Sequence, residues 1–68
     1  MTWTDAEEIG IALTELHPTV DPLSVRFTEL REWVTQLPGF NEDETGSTEG
    51  RLEAIQMAWY DEWKDAQP

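Results

Sequence analysis

Thr48-Glu49-Gly50-Arg51-Leu52-Glu53-Ala54-Ile55-Gln56-Met57-Ala58-Trp59-Tyr60-Asp61-Glu62-Trp63 is the stretch that decides the fold class. Leu52, Ile55, Trp59 and Trp63 recur at three- and four-residue spacing, which puts them on one face of an α-helix. Ala58 and Met57 flank that face. Tyr60 falls off it and is expected at the surface. Ser47 or Thr48 caps the start, because a short hydroxyl accepts from the free amides of the first turn. Gly50 is a poor helix former, costing up to about 1 kcal/mol in a helix interior. The tail 65–68 is expected to fray.

Upstream lies a polar loop, 40–47, with Glu42, Asp43 and Glu44 in a row. Asn41, Asp43 and Gly46 resemble the opening of a calcium loop. That loop needs a bidentate Glu at its twelfth position, and here the residue is Leu52, so an EF-hand is rejected. The three acids read as a solvated charge run, with loose holding of a hard cation as the alternative. Before the loop, Leu30, Trp33, Val34 and Leu37 predict a second helix capped by Thr28 and closed by Pro38-Gly39. Val25-Arg26-Phe27 is β-prone and expected to be extended. Asp21-Pro22 predicts a turn, or one short helical turn with Pro22 at its first position. At the N-terminal end, Thr4-Asp5-Ala6-Glu7 has the pattern of a capping box. Ala6, Ile9, Leu13 and Leu16 follow as a helical stripe, which Pro18 stops. The pattern predicts one all-α domain over 1–68, with helices at about 4–17, 28–37 and 48–65. A three-helix bundle and a winged-helix-like arrangement both fit.

Composition narrows the function. At 68 residues the chain has room for one small core, which leans on four tryptophans, two phenylalanines and a tyrosine. There is no cysteine, which excludes disulfides and thiolate ligation of zinc or of an iron–sulfur cluster. The acidic N-terminal stretch is not a signal peptide, and no apolar run is long enough to span a membrane. Fifteen acidic residues face four basic ones, for a net charge of −11. That sign opposes binding to phosphate backbones and anionic membranes and favours cations and basic protein surfaces. Solubility alone is the bland reading of such a charge.

No catalytic constellation survives inspection. Ser24 and Ser47 have no base or nucleophile elbow, there is no glycine-rich phosphate loop, and paired carboxylates need a pocket to split their pKa values. His17 reads as a helix-end residue serving the last carbonyls, not as a ligand. Asp5 and Glu8 share a helix face, as do Asp61 and Asp65 with Glu62 beside them. Carboxylates so spaced can share a divalent ion such as Fe²⁺, Mn²⁺, Mg²⁺ or Ca²⁺ through oxygen. The last three also lie near a helix C-terminus, where the dipole disfavours anions by roughly 0.3–1 kcal/mol each; stability alone would not choose acids there, which leaves a partner-binding role or a frayed tail where the dipole matters little.

Trp3-Thr4-Asp5, Glu8-Ile9-Gly10, Asp21-Pro22, Val25-Arg26-Phe27-Thr28, Trp33, Leu52-Glu53-Ala54-Ile55 and Trp59-x-Asp61-Glu62 stand in an order and spacing that closely resembles the IscX (YfhJ-like) family. The resemblance implies a modified winged-helix fold and no enzymatic activity. It further implies docking on the cysteine desulfurase IscS through an acidic surface, with weak, exchangeable Fe²⁺ binding by exposed carboxylates and no bound cluster. Adaptor, regulator and iron donor are the roles it suggests, in the cytoplasm and as a monomer. By position, Asp5, Glu8, Asp61 and Glu62 carry the family's metal- and partner-binding acids; Asp65 joins the metal set by helix spacing alone. Arg26 is read as structural, holding acids of neighbouring helices. A winged-helix regulator of nucleic acid is the competing function, and the net charge stands against it.

Overall fold

A computed structural model describes residues 1–67 and is all-helical: α1 (Ala6–Leu16), α2 (Phe27–Thr35) and α3 (Glu49–Ala66), with 3₁₀ turns at Pro22–Ser24 and Glu44–Gly46. No strand forms among the described residues. The three expected helices are present, and the structure carries no β wing among those residues. The tail expected to fray ends at Pro68, outside the described residues; α3 itself continues to Ala66.

The core follows the apolar stripes. Ile9 and Leu13 of α1, Leu30 and Val34 of α2, and Leu52, Ile55 and Trp59 of α3 are buried, joined by Trp3, Val25 and Leu37 from the connecting segments. Trp63 is half-buried and donates from Nε1 to the Pro18 carbonyl at 3.1 Å. The Trp59 indole nitrogen is the one buried side-chain nitrogen or oxygen among the described residues that lacks a hydrogen-bond partner. An unmade bond costs about 1–3 kcal/mol. Burying roughly 150–250 Å² of ring at 25 cal/mol per Å² returns about 4–6 kcal/mol, so the ring stays inside.

α1 and α3 run in the same direction. The first turn's approach has Trp3 at Gly46, the middle has Gly10 against the backbone of Ala58 and Trp59, and the far end has Pro18 at Trp63. A Cβ at Gly10 would lie 2.9 Å from Ala58 C and Trp59 N, so only glycine permits this helix–helix approach.

Several local expectations need correction. Thr4 does not cap α1. Asp5 takes the N-cap position without a side-chain cap bond, because its carboxylate turns back to accept from the Thr2 N–H (2.8 Å) and the Thr2 hydroxyl (3.2 Å). Thr28 does not cap α2 either. Arg26 stands there in extended conformation, and its N–H donates to Glu29 Oε1 at 3.3 Å. This is half a capping box, since a guanidinium has no acceptor to offer in return. Val25 and Arg26 are extended as expected, yet they pair with no strand, and Phe27 opens α2. Thr48 does cap α3, accepting from the Arg51 N–H at 3.2 Å, and Asp21 accepts from the Leu23 N–H at 2.9 Å to close the turn at Pro22. Tyr60 is half-buried, its ring 6.2 Å from that of Trp63 and beneath Lys64 Nζ.

Candidate functional site

The acids singled out in sequence divide between two regions. Asp5 ends the segment leading into α1 and is half-exposed; Glu8, in the first turn, is exposed. Asp61, Glu62 and Asp65 are exposed in the last turns of α3. The register set by Gly10 against Ala58 puts Asp5 level with Glu53, about 11 Å or more along the axis from Asp61 at 1.5 Å per residue. By the same register Glu8 is level with Gln56, about 7.5 Å along the axis from Asp61, so of the α1 pair it is Asp5 that the parallel helices set farther from the α3 acids. Among the described residues no group of three or more His, Asp or Glu side chains surrounds a common point. Asp61 also shares an ion pair with Lys64 at 4.0 Å. What remains are pairs of carboxylates on single helix faces, which can offer two or three oxygens to a hard cation but no closed cage.

The loop acids behave differently from the solvated run expected of them. Glu42 Oε1 accepts from the Trp3 N–H at 2.8 Å, and the Asp43 carbonyl accepts from Trp3 Nε1 at 2.7 Å. Phe40 meets the Trp3 ring edge-on at 4.9 Å. The Asp43 carboxylate closes the 3₁₀ turn, accepting from the hydroxyl and the N–H of Thr45. Two arginines grip the same turn from the other side, Arg31 Nε on Ser47 Oγ (2.7 Å) and Arg51 Nη1 on the Gly46 carbonyl (3.0 Å). Only Glu44 of the three acids has no side-chain bond. Sequence reasoning missed this clasp. Its signal was Trp3 itself: a ring too large to leave in water, placed ahead of a helix it does not belong to.

These partners set the ionisation. Asp5 is held below the usual carboxylate value, chiefly by the Thr2 N–H, then by the Thr2 hydroxyl, with a smaller contribution from the α-amino charge. Asp43 is likewise lowered, first by the Thr45 hydroxyl and then by the Thr45 N–H. Both therefore stay charged at neutral pH. His17 ends α1 as expected, its backbone N–H donating to the Leu13 carbonyl, but its ring, expected to serve the last carbonyls, lies flat on Trp33 at 4.3 Å instead.

Most other carboxylates are committed to nothing inside the molecule. Glu7, Glu8, Glu15, Glu53, Glu62 and Asp65 are exposed and make no hydrogen bond or ion pair among the described residues. Arg26, expected to hold neighbouring acids, pairs with none there, nor do Arg31 and Arg51. No helix of the described residues is long and apolar enough to cross a membrane. The hollows over Thr4–Glu8 and beside Ala12, Leu16 and Pro38 are open dents.

A family model described as iron–sulphur cluster assembly matches residues 1–64. An uncharacterized protein of Pseudomonas aeruginosa is 52% identical over 62 residues, covering 91% of this chain and 94% of its own length.

Proposed function

The chain belongs to the iron–sulphur cluster assembly family, as its resemblance to IscX proteins implies, and from that premise we propose that it is a non-enzymatic adaptor that docks on the cysteine desulfurase IscS and carries Fe²⁺ loosely on surface carboxylates. The observation that supports this reading is the outward display of uncommitted acids on a fixed α1–α3 scaffold, Glu7 and Glu8 on one helix and Glu53, Glu62 and Asp65 on the other. Carboxylates with no internal partner and a net charge of −11 attract a basic protein face and speed the encounter. Fe²⁺ is cargo here. Open sites of two or three oxygens hold it weakly and release it fast, which suits handing on. A cytoplasmic, monomeric accessory protein fits this role. With no cysteine, the chain holds no cluster through thiolates.

NMR shift mapping with Fe²⁺ and with IscS, added separately, tests the proposal. Binding of IscS at low salt with shifts on α1 and the end of α3 is the expected result. Glu8→Lys with Asp61→Lys is expected to weaken the complex by about tenfold or more. Affinity unchanged by that double reversal removes both acids from the interface, and no complex at low salt removes the function.

A further inference from the structure

We infer that the dent between the C-terminal half of α1 and Pro38 is an anchoring site, and that its occupant is an arginine side chain of a protein partner. The inference deepens the docking role above and rests on it.

Leu16 ends the apolar stripe of α1, yet it is 54% exposed, while Ile9 and Leu13 of the same stripe are fully buried. Beside it lies a hollow of about 250 Å³ lined by Ala12, Glu15, Leu16 and Pro38. The helical turn explains that lining. Ala12 and Leu16 are four residues apart and stack on one face of α1, and Glu15, three after Ala12, stands at the edge of that face. Ala12 is short and leaves the space open. Pro38 is the facing wall.

That wall is held in place before any partner arrives. The Phe40 N–H donates to the Leu37 carbonyl at 3.1 Å across a turn whose centre is Pro38 and Gly39, the latter at φ 83°. This is the pattern of a type II turn, which favours proline first and needs a positive φ second. Leu37 is buried and ties the turn to the core. Met1 straps its far side: the α-amino group donates to the Gly39 carbonyl at 2.7 Å, and the Met1 carbonyl accepts from the Asn41 N–H at 2.9 Å. A preformed site loses little freedom on binding.

Shape and charge select the occupant together. Three apolar side chains and one carboxylate line the dent. Glu15 is exposed and makes no hydrogen bond or ion pair among the described residues. Glu8, two turns earlier and also exposed, adds negative potential along the same edge of α1. An apolar side chain would fill the hollow and leave Glu15 unpaired beside it, and an acidic one would be repelled. An arginine answers both parts. Its aliphatic stem lies on Ala12, Leu16 and Pro38, and its planar guanidinium, more weakly hydrated than an ammonium, takes the Glu15 carboxylate through paired N–H bonds. A seated side chain also supplies what diffuse surface charge lacks, a fixed register on the partner.

The test uses methyl NMR of the whole chain at physiological salt. One probe is a capped peptide with a single arginine between leucines; the other is the same peptide with citrulline, the uncharged analogue, in its place. The arginine peptide is expected to shift the Ala12 and Leu16 methyls, and the citrulline peptide to bind about threefold more weakly or worse. Glu15→Gln is expected to weaken the arginine peptide by the same about threefold. Glu49→Gln makes the same charge change in the first turn of α3, about 20 Å along the axis from Glu15 by the Gly10–Ala58 register, and is expected to leave its affinity unchanged. Equal binding of the two peptides, equal losses in the two variants, or shifts that miss Leu16 overturn the site. Leu16→Ser, checked for an unchanged melting temperature, carries the test to purified IscS, where a loss of about fivefold or more is expected. Undiminished IscS binding by Leu16→Ser and by Glu15→Gln sinks the anchor and spares the docking role. Arginine-selective binding at the dent, with no IscS binding by the native chain, sinks the docking role and spares the anchor.

Discussion

Gly10 and Gly50 both lie in helices, and their surroundings differ completely. A methyl at Gly10 would meet Ala58 and Trp59 backbone at 2.9 Å, atoms that cannot swing aside. A methyl at Gly50 would meet nothing within 4 Å. Gly10→Ala must therefore push α1 off α3, with an expected loss of about 1–3 kcal/mol by overpacking. Gly50→Ala should gain about 0.5–1 kcal/mol from helix propensity alone. Urea denaturation of the two variants measures both, and the opposite signs are the point. Among the side chains, Asp5 and Asp43 give the acid response its sign. Each has a folded-state pKa below its unfolded value, so each contributes stability that is complete above the ordinary value of 3.8 and disappears as pH falls through the folded value. Thr45→Val removes the hydroxyl that lowers Asp43. Denaturation followed between about pH 5 and pH 3 should show a shallower acid loss in that variant than in the native chain. Trp3 shows why some of this was not readable from sequence. Its hydrogen bonds reach across some forty residues to Glu42 and Asp43, and no local pattern announces such a pairing.

At the scale of elements, the apolar stripes were the legible part, because burial on one helix face leaves a 3.6-residue signature. Leu52, Ile55 and Trp59 are fully buried as their spacing predicts. Helix starts were less legible. Thr4 and Thr28 look like caps, but capping competes with other uses of the same short side chains. Asp5 serves Thr2 instead, and the chain enters α2 two residues earlier than a cap at Thr28 requires. Thr48, with no rival partner nearby, caps as its type predicts. For the acids at the end of α3, the dipole argument makes a prediction of its own. Asp65 is exposed in the last turn with no partner among the described residues. Asp65→Lys should stabilise the helix by about 0.3–1 kcal/mol, seen as a raised melting temperature, while weakening the complex with IscS. A gain in stability with unaltered binding would leave Asp65 outside the interface.

For the whole molecule, a charge of −11 on 68 residues dominates long-range behaviour. The carboxylates repel one another across the surface, and only Lys64–Asp61 relieves that repulsion as an ion pair among the described residues. Added salt should therefore raise the melting temperature, since screening at a Debye length of about 8 Å quiets charges spaced wider than that. The sign of the charge disfavours nucleic acid from the sequence alone. Which acids remain free was not readable there, because Glu42 and Asp43 look as available as Glu7 until the loop closes on Trp3. A small core beneath a surface of uncommitted carboxylates is the feature of the whole molecule on which the docking proposal rests.

The most direct measurement is the affinity of the native chain for purified IscS, by titration calorimetry at about 50 mM and about 200 mM salt. Docking by uncommitted carboxylates predicts a tight complex at the lower salt that weakens several-fold at the higher. No complex at the lower salt, or an affinity that salt leaves untouched, contradicts it.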